Sequence, residues 1–305
     1  MTNDELIVQI NQLRRERNAI ILAHNYQLGE IQDIADFCGD SLELARKAAQ
    51  VRTADVIVFC GVHFMAETAA ILSPTKTVVM PDEHAGCPMA DMITAAQLRE
   101  FKAKHPGAAV VCYVNSSAEV KAECDACCTS ANAANVVASF PQDQPIIFVP
   151  DQYLGAYVER QTGRKLILWP GYCPTHQRTT PGEIAALRLQ HPGAKTICHP
   201  ECNLPIQDAC DFVASTGGMI KIAGTAGLDE FIVVTEKGMI HRLQTQYPGK
   251  KFHHIGDRCT CPNMKKNTLE KVWWCLRDLK PTVTVPPEIA AKANKAILRM
   301  LEIVA

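Results

Sequence analysis

A polar helix closes over Asn11 to Asn18 and gives way to Ala19-Ile20-Ile21-Leu22-Ala23, five apolar residues without polar alternation. A short, wholly apolar run of this kind predicts a strand covered on both faces, as in parallel sheets. It ends at His24-Asn25-Tyr26; an amphipathic stretch starts at Ile31, and Gly39-Asp40-Ser41 leads into a helix through Gln50. Val56-Ile57-Val58-Phe59 predicts a second strand, His63 to Leu72 a helix, and Thr77-Val78-Val79-Met80 a third strand. A loop with Cys87 follows, then Thr94-Ala95-Ala96-Gln97, a capping box that opens a helix.

The same programme starts twice more. Ala108-Ala109-Val110-Val111-Cys112 is a strand ending at Tyr113-Val114-Asn115, followed by strands at Ile146 to Val149 and Leu166 to Trp169. Cys173 comes next, and Thr180-Pro181-Gly182-Glu183 caps a helix with proline at its favoured first position. The third copy runs through Lys195-Thr196-Ile197-Cys198, the turn His199-Pro200-Glu201, strands at Phe231 to Val234 and Phe252 to Ile255, then Cys261 and a cap at Asn267 with Glu270 three residues on.

The spacing makes these three copies of one unit. Only three cysteines precede proline, Cys87, Cys173 and Cys261, at separations of 86 (173 − 87) and 88 (261 − 173) residues. His105-Pro106-Gly107-Ala108 recurs 86 residues later as His191-Pro192-Gly193-Ala194. From His24 to Ser41, Tyr113 to Ser130 and His199 to Thr216 the distance is 17 residues each time, and cysteine to cap is 7, 7 and 6. The expected fold is α/β, with three pseudo-threefold-related αβα repeats, each holding a small parallel sheet, around a central active site. The repeats span residues 1–90, 91–176 and 177–264 and carry Cys87, Cys173 and Cys261 in turn. Residues 265–305, with Trp273, Trp274 and a helix opened by Pro286-Pro287 and running Glu288 to Ile303, are expected to pack across them.

Composition narrows the function. A net charge of −1 leaves no electrostatic footprint for nucleic acid or an anionic membrane. No apolar run approaches the roughly 18–20 residues of a spanning helix, and Met1-Thr2-Asn3-Asp4-Glu5 lacks the features of an export signal. A soluble cytoplasmic protein is expected. Fourteen cysteines in a chain that is 47% hydrophobic do not describe a small disulfide scaffold. Most are expected to be reduced and buried, with a few binding metal.

Ligands of open α/β sheets sit beyond the carboxyl ends of the strands. The first-strand ends carry His24, Tyr26, Tyr113, Asn115, His199 and Glu201, and the matched hydroxyls Ser41, Ser130 and Thr216 fall near helix starts, which favour carboxylate or phosphate. A symmetric scaffold with an asymmetric polar lining is what a single site on a pseudo-threefold axis requires. Three converging cysteines suit a zinc site with an open fourth position, or a cubane cluster with one iron lacking a protein ligand; their wide separation in sequence favours a substrate-binding Lewis acid. Cys124-Asp125-Ala126-Cys127-Cys128 occurs in one copy only and reads as structural, as do Cys60, Cys198, Cys202, Cys210 and Cys275; Cys259 has no equivalent in the other copies. His176, three residues after Cys173, either faces the metal or holds its loop by a hydrogen bond, the second being favoured. No role is assigned to His63, His84, His105, His191, His241, His253 or His254.

Ala23-His24-Asn25-Tyr26-Gln27, Gly39-Asp40-Ser41, Gly86-Cys87-Pro88-Met89-Ala90, Tyr113-Val114-Asn115-Ser116, Cys128-Thr129-Ser130-Ala131-Asn132, Gly171-Tyr172-Cys173-Pro174-Thr175-His176, His199-Pro200-Glu201-Cys202, Ser215-Thr216-Gly217-Gly218-Met219 and Cys261-Pro262-Asn263-Met264 occur in this order along nearly the whole chain. Together they resemble the quinolinate synthase A family. Many members carry Cys-x-x-Cys-x-x-Cys near the third ligand, whereas this chain has only Cys259-Thr260-Cys261, so the resemblance carries over the ligand but not redox regulation through that motif. The resemblance implies condensation of iminoaspartate with dihydroxyacetone phosphate to quinolinate, with loss of phosphate and two waters, in NAD biosynthesis. It implies a [4Fe–4S] cluster on Cys87, Cys173 and Cys261, and an L-aspartate oxidase or aspartate dehydrogenase supplying iminoaspartate.

On that reading Glu201 is the main proton-transfer group, Tyr26 acts on the triose intermediate, and Tyr113 is a further acid–base candidate. His24 and His199 are acid–base candidates as well; with Asn115 they position substrate or stabilise developing charge, and Ser41, Ser130, Thr216 and Asn115 supply anion sites. The rivals are another open-iron hydro-lyase, a non-catalytic iron–sulfur redox sensor or electron carrier, and a structural zinc protein.

Overall fold

The computed structural model describes residues 1–303. Twelve strands form among them: β1 Ala19–His24, β2 Phe37–Gly39, β3 Val56–Cys60, β4 Thr77–Val79, β5 Ala109–Tyr113, β6 Ala126–Cys128, β7 Ile146–Val149, β8 Ile167–Leu168, β9 Lys195–Cys198, β10 Phe212–Val213, β11 Glu230–Val234 and β12 Lys251–His254. They pair in parallel as three four-stranded sheets, ordered β2-β1-β3-β4, β6-β5-β7-β8 and β10-β9-β11-β12. Helices interleave throughout, so the architecture is three repeated αβα units, as the internal repeat predicts.

Nine of these strands match the apolar runs to within one or two residues at each end. The sequence reading omits β2, β6 and β10. They are two or three residues long and read Phe-Cys-Gly, Ala-Cys-Cys and Phe-Val. Such fragments are too short to show a period; pairing with a longer neighbour makes them strands.

Their register explains the recurring 17-residue spacing. His24 pairs with Gly39, and Tyr113 with Cys128, each 15 residues on; Cys198 pairs with Val213 at the same interval. Ser41 and Ser130 lie two residues beyond the partners of His24 and Tyr113, and Thr216 lies three beyond Val213, the partner of Cys198. Each hydroxyl therefore emerges beside the end of the first strand of its sheet. In all three sheets the chain runs from the first strand to one neighbour and then crosses to the other side, so the first strand sits at the topological switch point where a crevice opens.

The sheets are buried on both faces. Val56 to Cys60, Ala109 to Tyr113 and Ile146 to Val149 are buried without exception. Helix Asn3–Glu16 packs against helix Leu269–Asp278 through Leu6, Ile10, Val272 and Leu276, closing the outer face of the first sheet. Helix Pro287–Glu302 buries Ala293, Ala296, Ile297 and Met300 against the second sheet and the helices beside it. Just before it the chain covers the edge of β4, through Val283 N–H to Val78 O and a bridge between Val79 and Thr282. Among the described residues no helix is long and apolar enough to cross a membrane.

Capping follows expectation at Thr94 and Thr180, where both halves of the capping box are made. The third cap is corrected. Thr268, not Asn267, caps helix Leu269–Asp278 by accepting from Lys271 N–H. The cysteine-to-cap distance is thus 7 residues in the third copy as well (268 − 261). Asn267 is fully buried, and its amide donates to Gln27 Oε1 and Gly61 O.

Candidate active site

One cavity of about 910 Å³, counted out to its open mouth, lies where the three repeats meet. All twelve residues singled out from the sequence line it: His24, Tyr26 and Ser41 from the first repeat, Tyr113, Asn115 and Ser130 from the second, His199, Glu201 and Thr216 from the third, and Cys87, Cys173 and Cys261. The strand-end positions bring the polar groups together, and the loops after the fourth strand of each sheet bring the thiols.

Glu201 is the electrostatic centre. Its Oε1 accepts from the Tyr113 hydroxyl at 2.6 Å and from Asn115 Nδ2 at 3.3 Å, and its Oε2 lies 2.8 Å from His176 Nδ1. Burial alone would keep this carboxyl protonated; the neighbouring imidazoles of His199 and His176, with the hydrogen bonds from His176 and Tyr113, outweigh it and hold the group ionised. Burial likewise opposes a charge on His176, but the Glu201 carboxylate and its hydrogen bond lift that imidazole to about 9. At neutral pH the two form a buried ion pair.

His24 and His199 behave oppositely. Desolvation, followed by mutual repulsion, lowers His24 to about 3, and desolvation lowers His199 to about 4, so both are neutral. Their tautomers are set alike. Tyr26 N–H donates to His24 Nδ1 at 3.1 Å, and Glu201 N–H donates to His199 Nδ1 at 3.2 Å. Each ring therefore carries its proton on Nε2, and that of His199 meets Ser130 Oγ at 3.1 Å. Contacts between repeats place the hydroxyls: Asn25 Nδ2 donates to Thr216 Oγ1 at 2.9 Å, and Ser41 opens a helix whose cap, Asp40, accepts from Ser215 Oγ.

The thiols sit in turns whose backbone faces sulfur. Met89 and Ala90 N–H approach Cys87, His176 N–H approaches Cys173, and Asn263 and Met264 N–H approach Cys261. Burial still pushes Cys87 up to about 12 and raises the other two, so the thiols alone would stay protonated. A cation reverses that balance and is the natural occupant of three thiolates pre-solvated by N–H groups. The donor set fits a metal cofactor. Cys173, His176 and Glu201 also bring donor atoms within 4.8 Å of one another.

The quinolinate synthetase A protein family profile matches residues 8–302. The chain belongs to this family. It is 58% identical over 296 residues to a quinolinate synthase of Dehalococcoides mccartyi strain CBDB1, covering 97% of each chain. It is 54% identical over 293 residues to one from Methanoregula boonei, covering 96% of each. A quinolinate synthase of Geobacter sp. strain M21 is 51% identical over 303 residues, covering 99% of each. Members of this family are enzymes, and so is this chain.

Four residues of the cavity region escape a reading based on strand ends. His176, for which the sequence leaves open a metal-facing place or a loop-holding one, is buried and lines the cavity, in contact with both Glu201 and Cys173. Arg178 is the one lysine or arginine among the lining residues, and its guanidinium enters no ion pair among the described residues. Glu236, fully buried, accepts from Cys261 N–H at 3.0 Å and pairs with Lys265 at 2.9 Å, holding the third thiol's turn. Thr235, also fully buried, lies behind the lining between Tyr26 and His176. Only a proline or glycine at the matching positions of the other repeats, Pro150 and Gly61, would have flagged Thr235.

The cysteines outside the Cys-Pro turns stay outside the cavity. Cys127 and Cys128 are fully buried in β6, Cys124 donates to Val120 O, and Cys259 is buried without reaching the lining. A second cluster, His191, Glu230 and His253, lies at the opposite end of the third sheet. Its imidazoles stack with centroids 3.5 Å apart and planes 16° from parallel. Two rings so stacked cannot both aim an in-plane lone pair at one ion, so the arrangement is an imidazole stack held by Glu230, whose Oε1 lies 2.8 Å from His253 Nε2 and 3.4 Å from His191 Nδ1.

Proposed function

We propose that this quinolinate synthase family member condenses iminoaspartate with dihydroxyacetone phosphate to quinolinate, with loss of phosphate and two waters. Cys87, Cys173 and Cys261 would hold a [4Fe–4S] cluster with one iron left without a protein ligand. The observation that carries this reading is the convergence of three thiols, one from each repeat, on the cavity that holds the Glu201–His176 pair. When bound, such a cluster supplies a Lewis acid toward a departing hydroxyl.

The chain's own residues do the rest. The Glu201 carboxylate accepts a proton from a carbon or nitrogen of the condensing substrates, and Tyr113, 2.6 Å away, returns one. His176 keeps Glu201 ionised. Tyr26 handles the triose-derived hydroxyl or carbonyl, with the neutral His24 offering its Nε2–H as an uncharged donor. Asn115 Oδ1 is buried in the cavity wall without a hydrogen-bond partner, and a buried acceptor left open fits an imine N–H or a substrate hydroxyl. Ser41 and Thr216, each the first residue of a helix, offer hydroxyls and free N–H groups to carboxylate or phosphate, with Ser130 and His199 beside them. The protein works in the cytoplasm, fed by an L-aspartate oxidase or aspartate dehydrogenase.

The test is anaerobic purification, iron and sulfide analysis with a visible spectrum, and assay of quinolinate from freshly generated iminoaspartate and dihydroxyacetone phosphate. About four irons per chain with quinolinate formed is the expected result. Four irons without product would overturn the substrates; zinc or no metal would overturn the cluster.

A further inference from the structure

Cys112 and Cys198 hold one position in the repeat. Each is fully buried near the end of the first strand of its sheet, and each directly precedes a side chain of the cavity, Tyr113 or His199. Twelve residues further on (124 − 112 and 210 − 198) stands a second cysteine, Cys124 or Cys210, partly buried in the turn that leads into the short second strand. The carboxylate that follows it fixes the equivalence. Asp125 accepts from Val110 N–H at 2.7 Å and Asp211 from Thr196 N–H at 2.8 Å, as Asp36 does from Ile21 N–H at 2.8 Å in the first repeat. The turn is thereby drawn against the first strand, and in both copies the two thiols meet: hydrogen bonds join Cys112 to Cys124 and Cys198 to Cys210.

The first repeat is an internal control. Its matching residues are Ala23 and Ala35, again twelve apart (35 − 23). The two positions therefore hold cysteine with cysteine or alanine with alanine, never one of each. A thiol that only fills apolar space has no need of a second one; a dithiol does. The other nearby cysteines lack this pairing. Cys127 lies beside Cys112 in register, and Cys202 hydrogen-bonds to Cys198, yet both are excluded from solvent. The residues matching Cys127 are Cys38 and Val213, and those matching Cys202 are Gln27 and Ser116.

We propose that Cys112 with Cys124, and Cys198 with Cys210, are two redox-sensitive dithiols that a small disulfide converts to protein disulfides, shifting Tyr113 and His199 from their working positions. The readout through turnover rests on the reading of the cavity as the site of condensation. The partly buried cysteine, as thiolate, attacks one sulfur of the small disulfide and releases the other half as a thiol. The buried cysteine then attacks the mixed disulfide and releases the second half. Two protein thiols are oxidised, one small disulfide is reduced to two thiols, and the two protons leave with them. Burial raises Cys124 well above the usual thiol range, so the first attack is slow, while proximity selects the sulfur that closes the ring. Closure takes away contacts that hold the strand ends. The Cys112 thiol donates to Tyr113 O at 3.3 Å, and Cys198 is bonded to Cys202, the residue after Glu201. A disulfide has no S–H to donate.

The experiment treats the metal-loaded protein with glutathione disulfide under anaerobic conditions, blocks the remaining thiols, maps linked peptides by mass spectrometry and measures iron and turnover. Links Cys112–Cys124 and Cys198–Cys210 are expected, with iron unchanged and turnover lowered about 10-fold and restored by dithiothreitol. The Cys124→Ala/Cys210→Ala double variant carries what the first repeat has at Ala35. It is expected to turn over like wild type and to resist glutathione disulfide; Cys124→Ser/Cys210→Ser replaces it if it does not fold. Either pair left free, links to Cys127 or Cys202 instead, links without loss of turnover, or an equal loss in the double variant would each overturn the proposal. Absence of quinolinate synthesis by untreated wild type would sink the substrate reading instead. The mapped links and a crystal structure of the oxidised protein would still judge the dithiols: absent links, or unmoved Tyr113 and His199, would overturn them.

Discussion

Glu201 Oε2 and His176 Nδ1 lie 2.8 Å apart with both side chains almost wholly excluded from solvent. They come from different repeats, 25 residues apart in sequence (201 − 176), and neither would be ionised alone at that depth. Each helps to charge the other, which couples the buried carboxylate of the cavity to the loop that carries Cys173.

Glu201→Gln removes the charge and leaves His176 with the desolvation that lowers it. Turnover is expected to fall by about 10²- to 10⁴-fold while metal content stays at the wild-type level. A glutamine variant with full turnover and an intact metal site would remove Glu201 from its assigned role.

Substituting Cys87, Cys173 or Cys261 by alanine is expected to abolish metal loading, since each is one of three thiols on the same cavity. Cys124→Ser, outside that cavity, is expected to load metal normally. Metal analysis across the four variants checks both halves; retention of metal by a Cys87 variant would break the ligand assignment.

Acid stability follows from His24. Its ordinary value of 6.5 drops to about 3 on burial. Between those values the unfolded chain binds the proton and the folded chain does not, so stability rises with pH and is lost on acidification, by at most ~1.4 kcal/mol per pH unit. His24→Asn is expected to unfold with a shallower dependence on pH between 6.5 and 4. His176, raised to about 9, has the opposite sign: its contribution is complete below 6.5 and lost as pH climbs to about 9. Denaturant titrations across pH read both; an unchanged slope in the asparagine variant would show that His24 is not buried as a neutral ring.

Asn267 and Thr268 separate a buried tether from a helix cap. Thr268→Ala is expected to cost about 1 kcal/mol, whereas Asn267→Ala strands the Gln27 and Gly61 acceptors and is expected to cost about 1–3 kcal/mol. Denaturation midpoints rank them. The reverse order would make Asn267 a surface-like residue, against its complete burial.

Arg178 is the only lysine or arginine in a lining that holds three carboxylates, Asp40, Glu201 and Glu236, among the described residues. On the proposed reading its charge would draw in substrates that carry carboxylate or phosphate. Arg178→Ala is expected to raise KM and flatten the salt dependence of kcat/KM, with kcat little altered. Steady-state kinetics at low and high ionic strength check this; an unchanged salt dependence would leave Arg178 without a steering role.

Much of this protein is written locally. Runs such as Ala19 to Ala23 and Ile146 to Val149 are apolar because parallel strands are buried on both faces, and the Cys-Pro turns recur because each repeat ends its sheet the same way. From these the three αβα units follow, together with twelve of the residues that line the cavity, because strand ends at a switch point converge wherever the sheets pack. The tertiary structure decided what local pattern cannot carry. The strands β2, β6 and β10 exist through pairing with a neighbour, Thr268 displaces Asn267 as cap because Asn267 is drawn inward to Gln27 and Gly61, and His176 is charged only because Glu201 arrives from the next repeat. Thr235 shows the same limit. Its identity in the chain is one threonine after an apolar strand, and its place between Tyr26 and His176 depends on how three repeats meet.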